Sequence, residues 1–267
     1  MVEPAGAFAG QHILITGATG GIGSVLASKL AFEGCRISAV ARRRDRLEDL
    51  REWIESSNGI CFPISKDVTD DDACEFIISR ATAEFGPIDS AFLSAGYIEP
   101  MPIELTNSSQ ITKSVELNLL APVRLTSALL PSMLRRGAGR ICAVSSVLGI
   151  FPVPFLSVYN AAKSGLIAFY RTLKHELRGA GVSLTCVAPR AVDTALINSL
   201  KDTFNSLGWG IDTPEQTAYN ILRATALRKG FVISGGIEKA IPVISVLFPA
   251  LINKQLDLAK EELRKFL

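Results

Sequence analysis

Strand-like and helix-like segments alternate along most of the chain, and that alternation restricts the available folds more than any other feature. Short apolar runs occur at His12–Thr16, Arg36–Val40, Gly59–Ser65, Ile88–Ser94, Arg140–Ser145, Val182–Ala188 and Phe231–Ser234. Between the first six lie segments of helical spacing: Ile22–Glu33, Arg46–Glu55, Asp70–Phe85, Ser108–Leu134 and Ser157–Arg178. Strands joined by crossover helices build a mostly parallel sheet. The runs are continuous rather than alternating, as strands covered on both faces require. The expected architecture is a single three-layer α/β/α domain around a doubly wound parallel sheet. Ligands of such sheets sit beyond the carboxyl ends of the strands, so the loops after the strands carry the candidate chemistry.

Bulk properties exclude several classes. A net charge of +2 and a pI near 8.3 give no strong field for nucleic acid or an anionic membrane. The five cysteines, Cys35, Cys61, Cys74, Cys142 and Cys186, form no Cys-x-x-Cys pair. An odd count in a chain of this size reads as free thiols of a cytoplasmic protein rather than a disulfide framework. Met1–Gln11 lacks the basic and apolar regions of a secretory signal. No run of about 18 apolar residues is found, so no membrane-spanning helix is expected. With only His12 and His175, a histidine-rich metal site is excluded, no metal is required, and a Ser-His-Asp triad has little material.

Thr16-Gly17-Ala18-Thr19-Gly20-Gly21-Ile22-Gly23 follows the first strand and opens the first helix. Glycines there allow a tight turn and close backbone approach, and the helix N-terminus offers free N–H groups to a pyrophosphate. The loop is thus a candidate dinucleotide site through Gly17, Thr19, Gly21, Ile22 and Gly23. The same glycines could instead serve helix–sheet packing alone. Gly17, Gly21 and Gly23 fit one glycine pattern and Gly17, Gly20 and Gly23 another, and the loop does not choose between them.

A carboxylate at the end of the second strand would accept the ribose 2′-hydroxyl of NAD. Here the strand ends Val40-Ala41 and runs into Arg42-Arg43-Arg44, with no acid before Asp45. Arg42, supported by Arg43, can bind a 2′-phosphate and stack on adenine, so the cofactor expected is NADP(H). After the third strand, Asp67-Val68 places a carboxylate where it could accept from the adenine amino group or cap the next helix.

Tyr159 and Lys163 lie four apart and share a helical face. An adjacent ammonium favours the phenolate and would lower the phenol pKa. Ser146, at the end of the fifth strand, would converge on the same crevice.

With these residues in place, the chain resembles the short-chain dehydrogenase/reductase family in its short single-domain subgroup, on a Rossmann-type fold. The matching residues are the Thr16–Gly23 loop, Asp67-Val68, Ala95-Gly96, Asn118, Ser145-Ser146, Tyr159-x-x-x-Lys163 and Pro189-x-x-Val192-x-Thr194, in family order over roughly residues 10–195. The resemblance implies Tyr159 as general acid/base and Ser146 as donor to the substrate oxygen. It implies that Lys163 binds the nicotinamide ribose and that Asn118 holds a relay water. Ala95, Gly96, Pro189, Val192 and Thr194 would line the cofactor. It also implies a homodimer or homotetramer through Ser108–Leu134 and Ser157–Arg178.

The chain departs from the family pattern in three places. Ser94 stands where an asparagine is usual, which puts strand bracing in question. Arg190 follows Pro189 where glycine is usual, so it changes the loop or brings a cation to the ligands. The chain also continues about thirty residues past Gly236. This 237–267 extension carries the apolar stretch Ile241–Ile252 and a charged helix, Lys254–Leu267, resembling tails of members that act on lipids. Packing on the body or a second subunit is expected over contact with a membrane surface. Leu196, Leu200, Phe204, Leu207 and Trp209 suggest an apolar lid near 194–210. The function expected is NADP(H)-dependent interconversion of a carbonyl and an alcohol on an apolar substrate. The alternatives are a 3-oxoacyl thioester reductase and a non-catalytic NADP(H)-binding regulator.

Overall fold

The computed structural model describes residues 6–240, 243, 244, 247 and 249–265. Seven strands form the central sheet: β1 (His12–Thr16), β2 (Arg36–Ala41), β3 (Ile60–Ser65), β4 (Ser90–Leu93), β5 (Gly139–Val144), β6 (Val182–Pro189) and β9 (Phe231–Ser234). A two-stranded pair, β7 (Ala191–Val192) and β8 (Ile211–Asp212), stands apart. The order in the large sheet is β3-β2-β1-β4-β5-β6-β9, with every pairing parallel. Winding therefore runs outward from β1 to β3, then restarts at β4 on the other side of β1. The loops after β1 and β4 part at this reversal and open the ligand crevice.

Within β1 the side chains divide by period two. Ile13 and Ile15 join a core with Leu26, Leu30, Leu47, Ile54 and Ile221. Leu14 joins the opposite core with Ile77, Leu125, Leu166 and Tyr170. The first core lies under α1 (Gly21–Phe32), α2 (Arg44–Glu55) and α8 (Pro214–Ala226), and the second under α3 (Ala73–Phe85), α5 (Ala121–Arg136) and α6 (Ser157–Glu176). Burial on both faces is why the strands read as unbroken apolar runs.

The expected single helix Ser108–Leu134 is three pieces: α4 (Ser108–Val115), a π turn at Glu116–Leu120, and α5. Asn107 and Gln110 form a reciprocal capping box at its start. The expectation that no segment could span a bilayer needs correcting. Ser108–Arg136 passes on length and hydropathy. In this fold it packs Leu125, Leu129 and Met133 against the sheet and carries Arg124, Arg135 and Arg136 besides.

The apolar pattern of the sequence does not signal α7 (Lys201–Ser206), the β7–β8 pair or α8. The C-terminal helix α9 is Pro249–Arg264, earlier than expected. Much of the apolar stretch 241–252 lies outside the described residues. Ala259 and Leu263 of α9 are buried with Leu200 and Phe204 in a third cluster, over the carboxyl end of the sheet. The extension thus packs on the body of the domain. The same cluster contains Leu148, Phe151, Leu156 and Tyr159, so it forms a wall of the crevice.

Candidate active site

Close approach explains three glycines of the first loop. Gly17 has φ of 67°, and a Cβ there would lie 2.8 Å from the Ala95 Cα at the end of β4. A Cβ on Gly23 would lie 2.1 Å from the Gly17 carbonyl oxygen. These two glycines serve the packing of loop, helix and strand. Gly21 differs, because its missing Cβ would meet Thr194 Cγ2 at 2.4 Å. It brings the N-terminus of α1 against the loop after β7. Gly20 caps α1 without a side-chain bond, and no acidic residue stands in the first turn. Its leading N–H groups are therefore available to an anion, and the surrounding cradle would be filled by any side chain at Gly21. The donors fit a pyrophosphate. Ile22 packs partly into the core, and Thr19 lines a groove between α1 and α2.

At the rim, Arg42 is 67 % exposed and its Nη1 lies 3.8 Å from Asp67 Oδ2. An exposed pair at that distance contributes little, so the guanidinium is easily drawn to another anion. Asp67 Oδ1 accepts from the Thr69 N–H at 3.0 Å and the Thr69 hydroxyl at 2.8 Å. It therefore builds the turn before α3. Arg43 is exposed and caps α2 through its backbone position. Val68 is buried in the core beside the crevice.

Ser94 retains a brace, since its hydroxyl donates to the Thr16 carbonyl at 2.7 Å and ties β4 to β1. Two residues on, Gly96 faces Asn118 and Lys163. A Cβ there would lie 3.4 Å from Asn118 Oδ1 and 3.8 Å from Lys163 Nζ. Asn118 is fully buried in the π turn, a distortion frequent at functional sites. Its Nδ2 donates to the Tyr97 carbonyl at 2.7 Å and to the Ser114 carbonyl at 3.0 Å. Its Oδ1 accepts from the Tyr97 N–H at 3.1 Å. The side chain thus clamps the backbone after β4, and only one lone pair is left for a water.

Ser146, Tyr159 and Lys163 come together at the ends of β5 and α6. The Ser146 hydroxyl accepts from the Leu148 N–H at 3.1 Å, leaving its own hydrogen to donate. Lys163 Nζ donates to the Val144 carbonyl at 3.0 Å and lies 5.8 Å from the Tyr159 ring centroid. Ser145 fixes the same turn of α6 by donating to the Lys163 carbonyl at 3.0 Å. Burial pushes the Tyr159 phenol up to about 12, with the neighbouring Ser146 hydroxyl opposing. Burial also brings Lys163 down to about 8, with the nearby Cys186 opposing. The expected lowering of the phenol pKa by Lys163 is therefore not found among the protein's own groups. Desolvation outweighs an ammonium that is bonded to a strand carbonyl rather than to the phenol.

Pro189 ends β6, and Val192 is buried in β7. Arg190 turns away from the crevice. Its Nε donates to Asp212 Oδ1 at 2.7 Å, and Nη1 lies 3.5 Å from Glu238 Oε1. It ties the β7–β8 pair to the start of the C-terminal extension.

A cleft opens beside Tyr159, lined by Tyr97, Glu99, Met101, Phe155 and Leu156 among others. Its residues were missed from the sequence. Phe155 has φ of 63°, rare for a side-chain-bearing residue, and its carbonyl accepts from the Met101 N–H at 2.7 Å. Only the position of Tyr97, directly after Ala95-Gly96, could have hinted at this wall.

The short chain dehydrogenase family profile matches residues 11–205. A short chain dehydrogenase of Pseudocercospora fijiensis is 33% identical over 193 residues, covering 72% of this chain. The chain spans 62% of that relative's length. The ketoacyl reductase HetN of Nostoc sp. is 32% identical over 216 residues, covering 80% of this chain and 75% of the relative. A crystal structure of a short-chain type dehydrogenase/reductase from Mycobacterium marinum matches with a TM-score of 0.81 at 25% identity, covering 88% of this chain and 97% of that one. The family profile, the sequence relatives and the shared fold all agree: the chain belongs to the short chain dehydrogenase family of oxidoreductases, which bind a nicotinamide cofactor, NAD or NADP.

Proposed function

We propose that the chain interconverts a carbonyl and an alcohol with NADP(H), on a small substrate with an apolar body. The observation that carries this reading is the gathering of buried Ser146, Tyr159 and Lys163 where β5 ends against α6, with Lys163 Nζ 5.8 Å from the Tyr159 ring centroid. The Gly21 cradle, Thr194 and the N-terminus of α1 would hold the pyrophosphate, and Arg42 with Arg43 the 2′-phosphate. Lys163, Gly96 and Val192 would face the nicotinamide riboside. Bound there, the cofactor supplies or takes up a hydride.

The chain's own groups do the rest. Tyr159, protonated at neutral pH, donates its proton to the carbonyl oxygen during reduction and recovers one during oxidation. Ser146 donates a hydrogen bond to the same oxygen as negative charge grows there. Its hydroxyl is oriented by the Leu148 N–H. Lys163 places a positive charge near the phenolate left behind, at the moment that charge is worth most. Apolar Met101, Phe155 and Leu156 limit water at the reacting carbon. Similarity to the ketoacyl reductase HetN supports a 3-oxoacyl compound as a second substrate reading. Exposed Ile111 on α4 and Leu134 on α5 support a homodimer or homotetramer through these helices.

The test is Tyr159→Phe with NADPH and a panel of ketones, aldehydes and oxoacyl thioesters. Turnover should fall at least about 100-fold while NADPH binding persists. Retained turnover would remove Tyr159 from its role, and NADPH binding without any turnover by the native protein would favour a non-catalytic regulator.

A further inference from the structure

The wall of the cleft facing Tyr159 carries a polar group that the proton-transfer chemistry does not use. The Tyr97 phenol donates to Glu99 Oε2, and both side chains line the cleft with Tyr159. The arrangement is held from behind. Asn118 bonds both backbone polar groups of Tyr97, so the start of this wall is fixed by the same π turn that flanks Lys163. It is held from the front as well. The Met101 N–H bonds the carbonyl of Phe155, whose left-handed backbone is sustained by that contact across the cleft. The segment between Tyr97 and Met101 is thus pinned at both ends, with Glu99 at its centre.

We infer that Glu99 is a specificity-determining residue, which selects carbonyl substrates bearing a hydroxyl group remote from the reacting carbon. This rests on the oxidoreductase reading and narrows its substrate class. Three observations support it. Tyr97 occupies one carboxylate oxygen, and among the described residues the other receives no hydrogen bond from the protein, so it is ready to accept one. The remaining lining sets apolar Met101, Ile103, Phe155 and Leu156 beside uncharged Thr106, Gln110 and Ser114, so a neutral substrate with an apolar body and one donor matches the cleft. Lys113 Nζ stands 3.9 Å over the Tyr97 ring, so a positive charge already sits on this wall. That charge disfavours an ammonium on the substrate and leaves a neutral hydroxyl as the better donor. Burial, reinforced by Glu99, raises the Tyr97 phenol to about 12, so it stays a donor and keeps the carboxylate oriented.

The test uses matched aliphatic ketones ending in a hydroxyl, a methyl or an ammonium group, with NADPH and NADH. The native enzyme should show a KM about 10-fold lower for the hydroxyl ketone than for the methyl one, with similar kcat. Glu99→Ala, at an exposed position, should erase that ratio by raising KM for the hydroxyl ketone alone. Tyr97→Phe, which frees the carboxylate, should reduce the ratio partially. Equal KM values in the native enzyme, an unchanged ratio in Glu99→Ala, or a preference for the ammonium ketone would overturn the inference while leaving the oxidoreductase reading intact. Absence of turnover with every ketone, despite cofactor binding, would overturn that reading and this one with it.

Discussion

Lys163 donates to the Val144 carbonyl at 3.0 Å and not to the Tyr159 phenol. The two residues share a helical face, yet the cation is anchored on the end of β5 and, among the described residues, is buried with no anionic partner. A buried ammonium without a counter-charge is a standing strain on the fold.

Lys163→Met should therefore stabilise the protein while abolishing efficient turnover. With Lys163 near 8 against an ordinary 10.5, the charge costs on the order of 3 kcal/mol at neutral pH. Loss of the Val144 hydrogen bond offsets about 1 kcal/mol of the gain. The sign with pH follows from a pKa that is depressed on folding. Below about 8 both folded and unfolded chains carry the charge and the penalty is complete. Between about 8 and 10.5 the unfolded chain holds more protons, so the penalty fades as pH rises. Urea unfolding of both proteins from pH 7 to 10.5 checks this. Their difference should shrink with pH, and taking the difference cancels the opposing effect of the raised thiols, Cys61 and Cys142 among them. A difference that does not vary with pH would show that the ammonium is not desolvated.

Arg42 stands 67 % exposed and 3.8 Å from Asp67, and among the described residues nothing stronger holds it. Arg42→Ala should weaken NADPH binding about 10-fold, the worth of one charge-assisted contact to a phosphate, and leave NADH binding nearly unchanged. Fluorescence titration with both cofactors measures the ratio. An unchanged ratio would return the cofactor preference to Arg43 or to neither arginine.

Gly21 and Thr194 meet where the α1 N-terminus faces the loop after β7. Gly21→Ala would place a methyl 2.4 Å from Thr194 Cγ2, forcing the two apart. Cofactor affinity should drop about 10-fold or more, since the helix N–H groups and the loop no longer close on the same phosphate. Thr194→Ser removes that methyl and keeps the hydroxyl, so the double variant should regain most of the loss. Gly23→Ala, with its clash on the Gly17 carbonyl, should instead fail to fold. Titration calorimetry with NADPH separates the cases, and no rescue in the double variant would count against the close approach.

Much of the site could be read from the sequence because its parts are local. The loop glycines lie between one strand and one helix, Tyr159 and Lys163 are one turn apart, and Ser146 ends a strand. Helix α8 escaped notice although Thr213 caps it, accepting from the Gln216 N–H, with Pro214 at its first turn. Its buried face includes Thr217 and Thr225 beside Ala218, Ile221 and Leu222, which blurs the apolar stripe. The Tyr97–Glu99 wall was illegible for another reason. It exists only because the loops after β4 and β5 meet, and the left-handed Phe155 that joins them carries no glycine to signal it. The role of Arg190 was also hidden, because its partners Asp212 and Glu238 share no local pattern with it.

That ion network gives the last prediction. Asp212 has 2 % of its side chain exposed and Arg190 24 %, so the pair is largely shielded from water. Arg190→Met would leave a buried carboxylate unpaired, with Glu238 beside it losing its cation as well. The expected loss is about 3 kcal/mol, with a lowered Tm. Replacing the carboxylate too, in Arg190→Met/Asp212→Asn, should recover a substantial part, because the remaining amide is cheaper to bury than a charge. Arg190 joins β7–β8 to the extension, so limited proteolysis of the single variant should release the segment after Gly236 faster than in the native protein. If the double variant were no more stable than the single one, the Arg190 contribution would lie in packing against Gly210 rather than in charge, since a Cβ there would meet the guanidinium at 2.1 Å.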